Sequence, residues 1–126
     1  MTKNPIGVPD ILATRDSRSS GFALEAKTSE DGRIALHERE LQGLLDTGLT
    51  PTVAVLSFPD REPHWIFVDA RTLTSATYEL NRLARKPRVD LGFDVNLVFR
   101  MILAERIEAA LERPESLDAL LHHERA

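Results

Sequence analysis

The sequence predicts one α/β domain, on three observations. Four short runs rich in apolar residues, Val8–Thr14, Gly21–Thr28, Thr52–Phe58 and His64–Asp69, are bounded by turn-forming clusters. Longer segments, Leu36–Thr47, Leu73–Arg85 and Asp94–Arg113, carry apolar residues at helical spacing. A chain of 126 residues with 42% hydrophobic content is long enough for one core and short for two. The expected order is β-β-α-β-β-α-α-α, an α/β arrangement without internal repeats.

Each element follows from its residues. Val8–Thr14 leads into the polar turn "RDSRSSG", so it and Gly21–Thr28 are expected to form a hairpin. In the second strand, Phe22, Leu24 and Ala26 fall on one face, and Ala23, Glu25 and Lys27 on the other. "SEDGR" is a loop. The helix expected from Leu36 to Thr47 carries Leu41, Leu44 and Leu45 on one stripe and stops at Gly48. "TVAVLSF" reads as a buried strand, "PDREP" as a turn, and "HWIFVD" as the partner strand. Trp65, Ile66, Phe67 and Val68 are expected in the core. Pro87 ends the helix from Leu73 to Arg85, and "RVDLGF" is irregular or a short strand. The longest helix carries Val95, Val98, Phe99, Ile102, Leu103, Ile107 and Leu111 as a stripe expected to be mostly core. Pro114 restarts a short helix from Glu115 to His122.

Composition limits the function. The net charge of −4 disfavours a protein that coats nucleic acid by charge alone, but not one with a local basic patch. No apolar run reaches the length of a membrane span, and the N-terminus lacks a signal-peptide core, so a cytoplasmic protein is expected. With no cysteine, disulfides and thiolate metal sites are excluded. Arginine outnumbers lysine 13 to 3, which reflects a GC-rich genome at least as readily as a salt-adapted surface.

The chemistry-bearing residues are Asp10, Glu25 and Lys27. A charged pair on a strand is usually a solvated face, with Lys27 simply paired to Asp10 across the hairpin. The functional reading is phosphodiester hydrolysis. Two carboxylates from adjacent strands, Asp10 and Glu25, can hold one side of Mg²⁺, and the carbonyl of Ala26 can add a ligand. Lys27 points to the same side as Glu25 and can orient water or stabilise the phosphate.

Pro9-Asp10 followed by Glu25-Ala26-Lys27 resembles the PD-(D/E)xK nuclease signature. With "PDIL", a polar turn, "FALEAKT", a helix, "TPTVAVLSF" and "HWIFVD", the chain resembles the archaeal Holliday junction resolvase family over roughly residues 6–72. Residues 73–126 form a C-terminal helical part outside the resemblance, within one nuclease-like domain spanning 1–126. The resemblance implies a restriction-endonuclease-like fold, a small central mixed β-sheet flanked by helices. It implies a Mg²⁺-dependent endonuclease, with Mn²⁺ as substitute, that cuts four-way DNA junctions as a homodimer. Asp10 and Glu25 become metal ligands and Lys27 the catalytic lysine. The expected location is then cytoplasmic, at the nucleoid. Two alternatives stay open: a catalytically weak or inactive DNA-binding or assembly subunit, and a nuclease for flaps or linear duplex.

The chain departs from the family at two points. Seven residues precede Val8, too few for the helix and acidic residue the family carries there. In the helix after the lysine, the family's polar residue has three candidates, His37, Glu40 and Gln42. Around the site, Arg15, Arg18, Ser19, Ser20 and Arg33 are the expected DNA contacts; each arginine alone is more often a surface residue. Arg71, Arg82, Arg85, Lys86 and Arg88 make the most basic segment, either a DNA flank or a solvated face. "LHERE" opens like a zinc-protease motif, but position 41 is Leu41 where the second His would stand. His37 otherwise reads as a helix-edge residue, and His122 and His123 as charges near a helix end.

Overall fold

The structure is a computed structural model that describes residues 9–14 and 21–112. The chain divides into two compact units, Met1–Asp90 and Leu91–Ala126. The first unit is a mixed α/β structure around a four-stranded sheet. Its strands are β1 (Ile11–Thr14), β2 (Gly21–Thr28), β4 (Thr50–Ser57) and β5 (His64–Asp69), in the spatial order β1-β2-β4-β5. β1 and β2 pair antiparallel, β2 and β4 parallel, and β4 and β5 antiparallel. A parallel pair requires a crossover. Here it is made by β3 (Arg33–Leu36) and the helix α1 (Glu38–Leu45).

The two faces of β2 are as the alternation predicts. The register sets Glu25 beside Val53 and Val68, and Lys27 beside Val55 and Ile66. That face is the core side. Ala23, Val53, Val55, Ile66 and Val68 pack with Leu41 and Leu44 of α1. Trp65 and Phe67 lie on the other face, half-buried, with ring centroids 6.0 Å apart, so only Ile66 and Val68 of that strand join the core cluster. Beyond β5, the N–H of Val89 donates to the carbonyl of Phe67 at 2.8 Å, and that of Asp69 to the carbonyl of Pro87 at 3.0 Å. These bonds cover what would otherwise be an open sheet edge.

Three expectations change. The helix expected from Leu36 starts at Glu38, because residues 33–36 form β3. The helix expected from Leu73 to Arg85 is instead the strand β6 (Ala76–Glu79) followed by the one-turn α2 (Leu80–Leu83). β6 pairs antiparallel with β3, setting Ile34 beside Tyr78. Both side chains join the core, as does Leu83 of α2. Tertiary pairing overrides helical periodicity here: "ATYE" holds β-formers that a partner strand can use. The core of the first unit thus continues past residue 72.

The second unit contains α3 (Val95–Glu112). Its expected stripe is not core: Val98, Ile102, Leu103, Ile107 and Leu111 are exposed, and Val95 and Phe99 half-buried. Leu97 and Met101 add further apolar surface, so the helix is apolar on all sides and has no single buried stripe. The helix expected at 115–122, with His122 and His123, lies outside the described residues. No helix among the described residues is long and apolar enough to cross a membrane.

Candidate active site

The site forms where β1 begins beside the middle of β2. The register pairs Ile11 with Leu24, the first pair of the hairpin, so Pro9 and Asp10 lead into β1 alongside Glu25 and Ala26. In an antiparallel pair, the residue opposite a hydrogen-bonding position exchanges both N–H and C=O bonds with its partner. Pro9 has no N–H, so it cannot donate to the Ala26 carbonyl. The Ala26 N–H bonds instead to the Asp10 carboxylate, donating to Oδ2 at 2.8 Å. The backbone N–H and C=O of one strand residue point the same way. The Ala26 carbonyl is therefore directed toward the side on which Asp10 lies, where a ligand from it was expected.

Glu25 and Lys27 project to the core side of the sheet, and α1 brings Glu40 to them. Glu40 precedes Leu44 by four residues and so shares its sheet-facing side. The Lys27 ammonium donates to Glu40 Oε2 at 2.5 Å, an ion pair with little solvent exposure. The other oxygen, Oε1, accepts the N–H of His37 at 3.0 Å, closing the first turn of the helix. Of the three polar candidates in this helix, Glu40 is the one at the site. His37 contributes through its backbone. The Gln42 side chain donates to Asp46 Oδ1 at 2.7 Å on the exposed side.

Crowded carboxylates shape the electrostatics. Burial pushes Glu25 up to about 8. A hydrogen bond with Glu40 and the charges of Asp10 and Glu40 add to the rise, and Lys27 opposes it. Burial also pushes Glu40 upward, but hydrogen bonds from Lys27, the His37 N–H and Glu25 hold it below the usual carboxylate range. The opposite directions of the two shifts favour a proton on Glu25 over one on Glu40.

This donor set fits a hard cation. Mg²⁺ is commonly held by one or two carboxylates, with water and substrate phosphate completing its shell. Asp10 and Glu25 provide two carboxylates, and a cation between them would offset the burial and the neighbouring negative charge that raise Glu25. Among the described residues, no group of three or more His, Asp or Glu side chains is assembled as a ready cage.

Arg15, Arg18, Ser19 and Ser20 are outside the described residues. Arg33 begins β3 opposite Glu79, beside a shallow concavity lined by Asp31, Gly32, Leu80 and Asn81. Much of the basic segment is held in local contacts. Arg71 forms a 2.7 Å ion pair with Asp69, and Arg82 lies 5.1 Å from the Tyr78 ring centroid. Arg88 donates to the Ala84 carbonyl at 3.1 Å, and Lys86 to that of Thr72 at 3.5 Å.

Ser29 was not anticipated. It continues the Glu25–Lys27 face by the period of two. It is buried, and its hydroxyl has no hydrogen-bond partner among the described residues. The same alternation that placed Glu25 and Lys27 was the signal for it. No protein-family model, curated protein or solved structure matches this chain.

Proposed function

We propose that the chain is a metal-dependent DNA endonuclease with a restriction-endonuclease-like fold, resembling Holliday junction resolvases and acting on branched DNA. The observation that carries this reading is the placement of Asp10, Glu25 and Lys27 on one side of the β1–β2 hairpin, with Glu40 against the lysine. The mixed sheet and its parallel β2–β4 pair are consistent with it.

In this reading Asp10 and Glu25 hold Mg²⁺ or Mn²⁺, with the Ala26 carbonyl as a further donor. When bound, the ion neutralises a nonbridging phosphate oxygen and makes a water more acidic. Glu25 gives up its proton when it becomes a ligand. Lys27 presents its ammonium to the phosphate or to the attacking water, and Glu40 keeps that long side chain in place. Arg15, Arg18, Ser19, Ser20 and Arg33 remain the proposed backbone contacts, read by DNA shape and not by base edges. The enzyme would act in the cytoplasm at the nucleoid.

The test is cleavage of a labelled four-way junction with Mg²⁺ or Mn²⁺, beside a flap and a linear duplex of matched sequence. Paired nicks in the junction, lost in Lys27→Ala, support the reading. Cutting of flap or duplex alone moves the substrate but keeps the chemistry. Tight junction binding without cutting by the wild type leaves a DNA-holding subunit and removes the enzyme.

A further inference from the structure

Residues 80–89, "LNRLARKPRV", hold four of the chain's sixteen cationic side chains and no acid; Glu79 and Asp90 flank the run. The proposed nuclease site does not use them. Their backbone is fixed at both ends. Leu83 is buried in the core, which turns its neighbours Arg82 and Arg85 outward. The N–H groups of Arg85 and Lys86 donate to the carbonyls of Arg82 and Leu83 at 3.2 and 3.0 Å. Past Pro87, Arg88 pairs with Val68 at the edge of β5.

The side chains are held in place but not neutralised. Arg82 lies over the Tyr78 ring, and Lys86 and Arg88 donate to backbone carbonyls. Among the described residues, none of the four forms an ion pair with a carboxylate. Unpaired charges of this kind face water. Each guanidinium has five N–H donors in a planar fork, so most remain open. The register also places the run. Glu25 lies level with Val53, Val53 with Val68, and Val68 with Arg88. Arg88 therefore stands on the row of Glu25, three strand spacings away, roughly 14 Å. A duplex covers that distance in about four base pairs.

We propose that Arg82, Arg85, Lys86 and Arg88 form a second DNA-contacting ridge, which grips the phosphate backbone of a duplex arm at the β5 edge of the sheet. The choice of DNA as occupant rests on the nuclease reading. The chemistry of the ridge agrees with it, because fixed guanidiniums without carboxylate partners match phosphate oxygens. Contacts to phosphate position a duplex and read no sequence. A chain of net charge −4 is repelled by DNA as a whole, so it needs its cations concentrated where the duplex lies.

The test uses the full chain and reads binding, not cutting. A labelled duplex is titrated in EDTA from about 50 to about 200 mM salt. Each phosphate contact contributes about 0.9 to the slope of log affinity against log salt, so each weakens binding about three- to fourfold over that range. Arg85→Gln, and Arg85→Gln with Arg88→Gln, are expected to bind more weakly at low salt and to lose about 0.9 of slope for each contact removed. Arg61→Gln, at an exposed arginine in the turn between β4 and β5, is expected to bind as the wild type does. Thermal unfolding of Arg85→Gln should match the wild type. Unchanged affinity and slope in the double variant overturn the ridge, as does an equal loss in Arg61→Gln. Phosphatidylserine vesicles held by the wild type and released by the double variant, with duplex binding unchanged, would move the ridge to an anionic membrane. A chain that binds duplex through these residues but cuts nothing keeps the ridge and removes the nuclease. A chain that cuts, with binding indifferent to them, does the reverse.

Discussion

Lys27 and Glu40, thirteen residues apart in sequence, are joined by a 2.5 Å contact between Nζ and Oε2. The pair ties the central strand β2 to α1. Removing the ammonium by Lys27→Ala is expected to lower DNA cutting by roughly 100- to 10,000-fold, the range typical of a positioned acid–base group. DNA binding, measured by electrophoretic shift, should persist. Normal cutting by this variant removes Lys27 from the chemistry.

Glu40 acts through the lysine. Glu40→Gln keeps a hydrogen-bond acceptor but loses the charge, and activity is expected to fall roughly 10- to 100-fold, as for other supporting partners of a metal site. The loss should appear in kcat more than in KM. Glu40→Ala should be more severe than Glu40→Gln, and equal losses would assign Glu40 to structure alone.

The raised Glu25 group makes stability depend on pH. Its carboxyl titrates near 4.5 in the unfolded chain and at about 8 in the folded one. Its contribution is full below 4.5 and is lost as pH rises toward about 8, because the folded state holds the proton longer. Glu40, held below the usual range, works the other way and loses its contribution as the solution becomes more acidic than its unfolded value. Thermal unfolding between those limits should therefore show Tm falling with pH in the wild type and a flatter profile in Glu25→Gln.

Metal binding should draw on the same proton. Mg²⁺ is expected to raise Tm, since a ligand that binds only the folded state stabilises it. In weakly buffered solution near neutrality it should also release protons, and its affinity should increase as pH approaches 8, the value to which Glu25 is raised. Asp10→Asn should abolish the stabilisation, and Glu25→Gln both effects. Mg²⁺-induced stabilisation that survives in both variants would place the ion elsewhere.

The fold rests on the layer between sheet and helix. Leu44 is fully buried in that layer. Leu44→Ala is expected to destabilise the chain by about 2–5 kcal/mol, the usual range for such a truncation. Chemical denaturation measures it, and a loss well under that range would mean that α1 is not seated on the sheet.

Alternation helped to make β2 readable, and β5 was readable as an apolar run between clear turn residues. β2 was legible to both of its ends, and with it the shared face of Glu25 and Lys27. β3 and β6 were not legible. Each is four residues long, and each finds its partner 40 to 46 positions away, a relationship that local pattern does not express. Glu40 stood beside His37 and Gln42 as an equal candidate. Only the seating of Leu41 and Leu44 on the sheet turns it inward. The exposure of α3 was hidden for another reason: a stripe of aliphatic residues looks the same whether it meets its own chain or another.

The parallel pairing of β2 with β4 sets an order of assembly. Asp10 meets Glu25 through a local hairpin that can close early. β4 pairs with β2 at a sequence distance of 28 residues throughout its register, as in Phe22 with Thr50, so its closure carries the larger chain-entropy cost. A lone hairpin lacks the burial that raises Glu25 in the folded chain. Docking of β4 and α1 supplies that burial and brings Glu40 alongside. Chain closure itself thus works against like charge, and a divalent cation added during refolding should speed the late docking step and leave the early hairpin unchanged.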